Sequence, residues 1–241
     1  MRDCEIERID KLENFYWWFI ARRELAISLL RKYIKKLNLR ILDVGCGTGM
    51  FMKELVRFGK VVGVDKSYYS IQLCHKKGFN SVYQEDISNM HFPSETFDLV
   101  TALDVLEHIE DDERAISEIF RVLKNNGIFL LTVPANNSLW SYHDIALNHK
   151  RRYTFSELKD KLISIGFEVK RISYCIFFLF LPIFIFRMFQ RYFLHIHHTT
   201  LITFPKLINF LLLLTLRLEN TLLKKGIDFP FGVSLVCVAR K

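Results

Sequence analysis

The spacing of apolar residues changes along this chain of 241 residues. Residues 15–37 place aromatic and aliphatic side chains at helical spacing, which predicts one or two helices. Short apolar runs then alternate with helix-like segments, and this alternation predicts a mostly parallel sheet covered on both faces. The predicted strands are residues 40–46, 61–65, 81–86, the start of 97–109, 128–134, 167–174 and 233–241.

These elements divide the chain into three parts. Residues 1–38 are predicted to form a helical cap, and residues 39–174 together with 233–241 an α/β domain. Within that domain, "DERAISEIFRVLKNNG" predicts a helix that ends at Gly127. Residues 175–232 interrupt the pattern of strands, so they are predicted to be an insertion before the last strand.

The insertion contains two apolar runs, residues 175–186 and 207–216. Each is shorter than the roughly 20 apolar residues that cross a bilayer, so neither predicts a transmembrane helix. Two interpretations stay open: helices that lie in a membrane interface, and a layer packed on the sheet or against a second copy in a homodimer. Basic residues flank the runs, namely Arg187, Arg191, Lys206, Arg217, Lys224 and Lys225.

The positive charge of the chain is concentrated in its last part. Residues 147–241 carry 15 Lys and Arg against five Asp and Glu, whereas residues 1–146 carry 19 against 21. Basic charge beside apolar runs favours contact with an anionic membrane face through residues 175–225. No motif of a nucleic-acid-binding domain is present, so we expect no nucleic-acid partner.

The cysteines and the N-terminal residues bear on the compartment. Five scattered cysteines without a CxxC pair are typical of reduced thiols. The first residues lack the continuous apolar core of a signal peptide. We therefore expect a cytoplasmic protein that lies peripherally on the inner face of a membrane.

A glycine-rich turn, "LDVGCGTG", joins the first predicted strand to a helix. Gly45, Gly47 and Gly49 permit a sharp turn and a close approach of the backbone to a ligand, beside the free N–H groups of a helix start. Asp65 ends the next strand, where its carboxylate can accept ribose hydroxyls. The GxGxG spacing differs from the GxGxxG of nicotinamide-binding turns, which disfavours an oxidoreductase.

These motifs resemble a known family. "ILDVGCGTG", "VVGVD", "QEDI", "FDLVTALDVLEHI" and "RVLKNNGIFLLTVP" occur in the order found in class I S-adenosylmethionine-dependent methyltransferases. The resemblance implies a Rossmann-like sheet of seven strands with the last one antiparallel, and S-adenosyl-L-methionine as cofactor. The cofactor-binding residues that it implies are Asp43, Gly45, Cys46, Gly47, Gly49, Asp65, Lys66, Asp86, Ile87 and Asp104.

The segment "SLWSYHDIALNHKRRYTF" follows the fifth strand, at the edge where ligands bind in such sheets. His149 and His143 are candidate bases for the acceptor's proton, with Asp144 as the residue that orients a histidine. Trp140, Arg151, Arg152 and Tyr153 are candidate substrate contacts through stacking or anion binding. Each of these residues has an alternative role in holding the loop together.

Two groups of residues raise the question of a metal. Asp104, Glu107 and His108 are residue types that bind divalent cations. This segment also resembles ubiquinone-pathway O-methyltransferases, in which a matching group has been linked to a metal. The same "LEH" occurs widely in metal-free methyltransferases, and we favour that interpretation. "HIHH" (195–198) lacks an acid or cysteine nearby, so we predict no metal there.

The segments "FYWWFIARR", "LWSYHDIALNHKRRY" and "PFGVSLVCVARK" resemble a methyltransferase subgroup associated with cell-surface glycan or lipid modification. The predicted function is therefore methyl transfer from S-adenosyl-L-methionine to a hydroxyl of an amphipathic, lipid-linked or glycan-type acceptor. The alternatives are a quinone-pathway O-methyltransferase and a non-catalytic membrane-associated protein of the same fold. The intact glycine turn and Asp65 disfavour the loss of activity.

Overall fold

The computed structural model describes residues 3–193, 201 and 203–241. Its centre is one sheet of seven strands. The strands are β1 (Leu39–Val44), β2 (Gly59–Asp65), β3 (Val82–Gln84), β4 (Phe97–Leu103), β5 (Leu123–Pro134), β6 (Glu168–Cys175) and β7 (Ser234–Arg240).

The strand order is β3-β2-β1-β4-β5-β7-β6, and β7 runs antiparallel to both of its neighbours. The predicted seven-stranded, mostly parallel sheet with an antiparallel last strand is thereby confirmed. β1 pairs in parallel with β2 and β4, and β4 is the middle strand of the seven. The carboxyl ends of the parallel strands therefore meet at one edge of the sheet, where ligands of such sheets bind.

Helices cover both faces of the sheet. Ile41 of β1 packs in a cluster on one face, while its neighbour Leu42 packs on the other, as the alternation of side chains along a strand requires. The helices are α1 (Asp3–Leu12), α2 (Trp17–Tyr33), α3 (Met50–Leu55), α4 (Tyr68–Lys76), α5 (Asp112–Val122), α6 (Tyr142–Ala146), α7 (Phe155–Ile165), α8 (Phe180–Phe193) and α9 (Lys206–Lys224).

One predicted boundary is wrong. The helix predicted to continue to Gly127 ends at Val122, and β5 begins at the next residue. Leu123 is fully buried and pairs with Phe97, and a register shift follows along β4. Asn126 has a φ of 64°, which a continuous helix does not accommodate. Burial of Leu123 in the sheet therefore outweighs the local helical pattern.

Helices α8 and α9 lie within residues 175–232, in the predicted insertion. α9 packs against α2, and both belong to the apolar cluster on one face of the sheet. In the described part of the chain, no helix combines the length and apolar character that crossing a membrane demands. The "HIHH" segment (195–198) lies outside the described residues.

Candidate active site

The glycine turn between β1 and α3 has the backbone conformation expected of it. Gly45, Gly47 and Gly49 have φ values of 65°, 54° and 80°, in the left-handed region that glycine tolerates best. A Cβ on Gly45 would lie 2.5 Å from a methyl of Val105. A Cβ on Gly47 would meet no atom closer than 4.0 Å, so the turn is open to a ligand at that residue.

Two carboxylates lie beside this turn. Asp65, at the end of β2, accepts hydrogen bonds from the N–H groups of Gly47 and Ser67 at 2.9 and 2.8 Å, and burial raises its pKa. Asp43 of β1 accepts a hydrogen bond from the Thr101 hydroxyl at 2.7 Å. Burial raises the pKa of Asp43 to about 7.

Other predicted cofactor residues surround the same space. Lys66 and Asp86 form an exposed ion pair with an N···O distance of 2.9 Å. The N–H of Ser88 and then Lys66 lower the pKa of Asp86. The buried side chain of Ile87 follows directly. The structure thus brings together residues from the ends of β1 and β2 and from the loop after β3.

A cavity of about 1400 Å³ extends from the glycine turn towards α8. Its polar end contains Asp43, Cys46, Asp65 and Asp104. Apolar side chains line it as well, both from α1 and α2 and from the predicted insertion. Those from the insertion are Leu179, Pro182, Ile183, Phe186, Leu201, Phe204 and Leu212. The cavity therefore joins a nucleotide-type turn to a surface suited to an apolar chain.

Asp104 has a partner that the sequence interpretation missed. It follows β4 with a φ of 56°, accepts a hydrogen bond from the Thr132 hydroxyl at 2.7 Å and forms an ion pair with Arg22. Arg22 lies on α2, and both residues line the cavity. "FYWWFIARR" suggested a family resemblance, but nothing in it pointed to this contact, which joins residues 82 positions apart.

The loop after β5 is organised around Asp144, which is fully buried. Its Oδ1 lies 3.0 Å from Nδ1 of His149 and accepts a hydrogen bond from Nε of Arg152 at 2.8 Å. Burial would raise the pKa of Asp144, but His149 and the arginine charges outweigh it and lower that pKa. An ionised carboxylate only accepts, so Nδ1 of His149 carries the proton and Nε2 is the accepting nitrogen of the neutral ring.

The other predicted substrate residues lie in different places. Arg152 lines the cavity, but it is buried and also donates to the Ala135 carbonyl at 2.8 Å. Arg151 and Tyr153 contact Asp112, at 3.0 and 2.7 Å. None of Trp140, Arg151 and Tyr153 lines the cavity in the described part of the chain. Their contact with an acceptor stays a prediction.

His143 also lines the cavity, with its ring centroid 6.4 Å from that of His149. Burial and then the charge of Arg187 lower the pKa of His143 well below its ordinary value, so the ring is neutral at pH 7. His149 and His143, the two predicted catalytic histidines, are thereby adjacent in the cavity wall.

A third histidine belongs to the same wall. Glu107, His108 and His149 each present a donor atom within 4.8 Å of the other two, the arrangement in which a cation is held. Glu107 is fully buried and neither of its oxygens has a hydrogen-bond partner in the described structure. Burial, followed by Asp104, raises its pKa well above the ordinary value, and burial lowers the pKa of His108 to about 4. A neutral carboxyl explains this cluster without an ion, so the metal-free interpretation stays our prediction.

Residues 42–131 match a family model described as "Methyltransferase domain". These residues, 90 of the 241 in the chain, are similar to that family. The sheet that they help to build, with β7 antiparallel, is the fold of class I S-adenosylmethionine-dependent methyltransferases. The turn at Gly47 and the carboxyl groups of Asp43 and Asp65 fit S-adenosyl-L-methionine. The turn leaves room for a ligand to contact the backbone, and the two acids can accept hydrogen bonds from hydroxyl and ammonium groups of the cofactor.

The methyltransferase domain is similar to two kinds of curated protein. A sterol 24-C-methyltransferase (erg6) of Aspergillus fumigatus is 38% identical over 106 residues, which are 39% of this chain and 27% of that protein. A ubiquinone biosynthesis O-methyltransferase of Coxiella burnetii is 30% identical over 141 residues, 52% of this chain and 60% of that protein. This chain spans less than two thirds of either relative.

A solved structure extends the similarity beyond the domain. An S-adenosylmethionine-dependent methyltransferase from Mesorhizobium loti aligns with a TM-score of 0.59 over 88% of this chain and 96% of that one, at 19% identity. At that identity the similarity shows the fold. It does not bear on the acceptor, which neither the glycine turn nor the sheet selects.

Proposed function

We propose that this protein transfers a methyl group from S-adenosyl-L-methionine to a hydroxyl of an amphipathic, lipid-linked or glycan-type acceptor. The observation that carries the proposal is the cavity, which has the glycine turn at one end and apolar residues of α8 and α9 in its wall. A polar end for the donor and an apolar wall for a chain describe a two-substrate site for a small donor and a greasy acceptor.

The donor side needs little chemistry from the protein. S-adenosylmethionine supplies an electrophilic methyl group, so the enzyme contributes position and exclusion of water. In this proposal Gly45, Gly47 and Gly49 form the cradle and Asp65 binds the ribose. The other proposed donor contacts are Asp43, Cys46, Lys66, Asp86, Ile87 and Asp104.

The acceptor side is proposed to use His149 as its catalytic residue. Asp144 holds Nδ1, so Nε2 is free to accept the proton that the acceptor hydroxyl loses as the O–C bond forms. Nε2 also lies 4.0 Å from Glu107 in the cavity wall. His143 is the second candidate base, because it lines the same cavity and is neutral at pH 7.

The class of acceptor is supported by the relatives as well as by the apolar wall. The names of the two relatives refer to sterols and to ubiquinone biosynthesis, and sterols and quinones are largely apolar molecules. The Coxiella relative favours a quinone-type acceptor as the second candidate function. Both candidates need the apolar wall, and they differ in whether the polar end of the acceptor is a sugar or a phenol.

We also propose that α8 and α9 contact an anionic membrane. Leu181, Ile185 and Phe189 form one exposed stripe on α8, and Leu207, Leu211, Leu214 and Leu218 form another on α9. Exposed basic residues lie at the ends of these helices, including Arg191, Lys206 and Lys224. Apolar stripes beside basic charge are typical of helices that lie in the headgroup region.

Methyl-labelled S-adenosylmethionine and a lipid extract from cells that lack the gene test the enzymatic proposal. We expect label in a lipid or glycolipid fraction. His149→Ala should lower the rate about 10²–10⁴-fold with unchanged affinity for S-adenosylhomocysteine. Asp65→Ala should weaken that affinity by roughly 2–4 kcal/mol, the value of charged hydrogen bonds. Absence of S-adenosylhomocysteine binding would refute the donor, and label only in quinones would favour the second candidate.

Sedimentation with vesicles tests the membrane proposal. The protein should sediment with phosphatidylglycerol vesicles more than with phosphatidylcholine vesicles, and less at high salt because the charges are screened. Ile185→Ser combined with Leu211→Ser should weaken sedimentation. Leu37→Ser, at an apolar residue that is 72% exposed outside both stripes, is the matched control. Equal sedimentation of all variants would contradict the proposed surface.

A further inference from the structure

Helix α8 presents three different faces. Leu181, Ile185 and Phe189 are 63%, 58% and 49% exposed and repeat every four residues, so they lie on one outer stripe. Ile183 and Phe186 line the cavity. Arg187 points inward and is only 7% exposed. A charged residue is rarely buried without a partner, which makes the contacts of Arg187 the feature to explain.

Arg187 is bound to the loop that carries the histidines. Its Nη1 donates to the carbonyl oxygen of Leu139 at 2.8 Å and to Oδ2 of Asp144 at 3.2 Å. The other oxygen of the same carboxylate holds Nδ1 of His149. The carboxylate is planar and rigid, so a shift of Arg187 turns the group that orients the histidine. Arg187 was expected among the surface charges that flank the apolar runs, and the structure shows that it is not one of them.

Burying the guanidinium of Arg187 beside Asp144 costs desolvation free energy. Burial, followed by the nearby charge of Arg152, lowers the pKa of Arg187 to about 9. Two buried arginines on one carboxylate leave a cation that Asp144 neutralises only in part. Arg152 and Ser141 already bind Asp144 from within the loop, so the loop does not require a second arginine from another element to satisfy that carboxylate.

We propose that Arg187 is a positioning residue that makes the orientation of His149 depend on the seating of α8 against residues 137–152. A membrane surface that contacts the outer stripe of α8 then also orders the histidine. The use of this coupling in methyl transfer rests on the proposed function. The coupling itself concerns only this chain and a vesicle, so it is testable without donor or acceptor.

Hydrogen exchange of the full chain, measured by mass spectrometry, is the test. The variants are Arg187→Gln, Arg187→Lys as the conservative rescue and Arg31→Gln as the control, an exposed arginine of α2 outside the cavity and the proposed membrane surface. In Arg187→Gln, residues 137–152 should exchange at least about tenfold faster, the effect of one lost buried charged hydrogen bond, while residues 43–50 stay unchanged. Arg187→Lys should restore most of the protection, and Arg31→Gln should match the unmodified chain.

Phosphatidylglycerol vesicles provide the second arm. They should slow exchange in residues 178–190 of every variant, and in residues 137–152 only where residue 187 is Arg or Lys. Nitrogen NMR shifts should show His149 in a single tautomer, with the proton on Nδ1, only in those same chains. S-adenosylhomocysteine affinity, measured in parallel, should be the same in all four chains.

Three outcomes would overturn the proposal. Residues 137–152 of Arg187→Gln could keep full protection, or vesicles could protect them equally with glutamine at 187. A uniform rise in exchange that includes the central strand, residues 97–103, would assign Arg187 a purely structural role. If the unmodified chain does not bind S-adenosylhomocysteine, the donor assignment is refuted instead. The coupling between α8 and residues 137–152 can still be measured by hydrogen exchange in that case.

Discussion

Two turns at the same edge of the sheet show opposite uses of one geometry. The first is the glycine turn after β1, and the second, residues 176–178, follows β6. Both leave the carboxyl end of a strand that is parallel to the centre of the sheet, and both contain left-handed backbone, with φ 60° at Ile176. Both present backbone N–H groups that are accepted by carboxylates.

The turns differ in what accepts those N–H groups. At the glycine turn, Asp65 accepts the N–H of Gly47 from the rim, and the turn lines the open cavity. After β6, the carboxylate of Glu219 accepts the N–H groups of Ile176, Phe177 and Phe178. The second turn is thus filled by a side chain of α9. The glycine turn therefore lines an open cavity, whereas the turn after β6 is occupied by Glu219.

The largest effect that tests this comparison is expected at Glu219. Glu219→Ala removes the acceptor of three buried N–H groups, and we expect a loss of about 3–5 kcal/mol in the free energy of unfolding. The control is Glu24→Ala, because Glu24 is an exposed acid of α2 that pairs with Arg217 of α9. This substitution should change the free energy of unfolding by less than about 1 kcal/mol. Urea denaturation measures both. A loss at Glu219 no larger than at Glu24 would mean that the turn does not need its internal anion.

An intermediate effect separates the contribution of the glycine turn to ligand binding from its contribution to stability. Gly47→Ala places a Cβ at left-handed φ beside the cavity and should lower S-adenosylhomocysteine affinity at least about tenfold, with about 1 kcal/mol lost in stability. Gly78 also has a positive φ, 88°, and open space around it, but it lies away from the cavity. Gly78→Ala should cost similar stability and leave the affinity unchanged. Calorimetry that shows equal affinities for the two variants would contradict the assignment.

The last test uses the dependence of stability on pH at Asp43. Its pKa is about 7 in the folded protein against an ordinary 3.8, so its stabilising contribution is complete below pH 4 and is lost as the pH rises through 7. Asp43→Asn has no such titration. The free energy of unfolding of the variant, relative to the unmodified chain, should therefore be higher at pH 8 than at pH 5. A difference that is flat or of opposite sign would argue against a buried, protonated Asp43.

Much of the proposed S-adenosylmethionine site could be predicted from the sequence, because the motifs that mark it are local. A glycine turn between a strand and a helix, and an aspartate at the end of the next strand, each depend on a few consecutive residues. Strands that alternate with helices also limit the sheet to few topologies. The alternating strands and the convergence of Gly47 and Asp65 follow from such patterns, whereas the antiparallel β7 was implied by the family resemblance. The structure shows all of these features.

The sequence by itself determined the fold and the place of the glycine turn, because backbone preference and apolar periodicity act over short distances. Only the tertiary structure decided which side chains meet across the chain. Arg22 meets Asp104 from 82 residues away, Arg187 meets Asp144 from 43, and Glu219 meets Ile176 from 43. Nothing local distinguishes these three from the surface charges of an amphipathic helix. Their burial, and therefore their strength, arises only when the helices pack on the sheet.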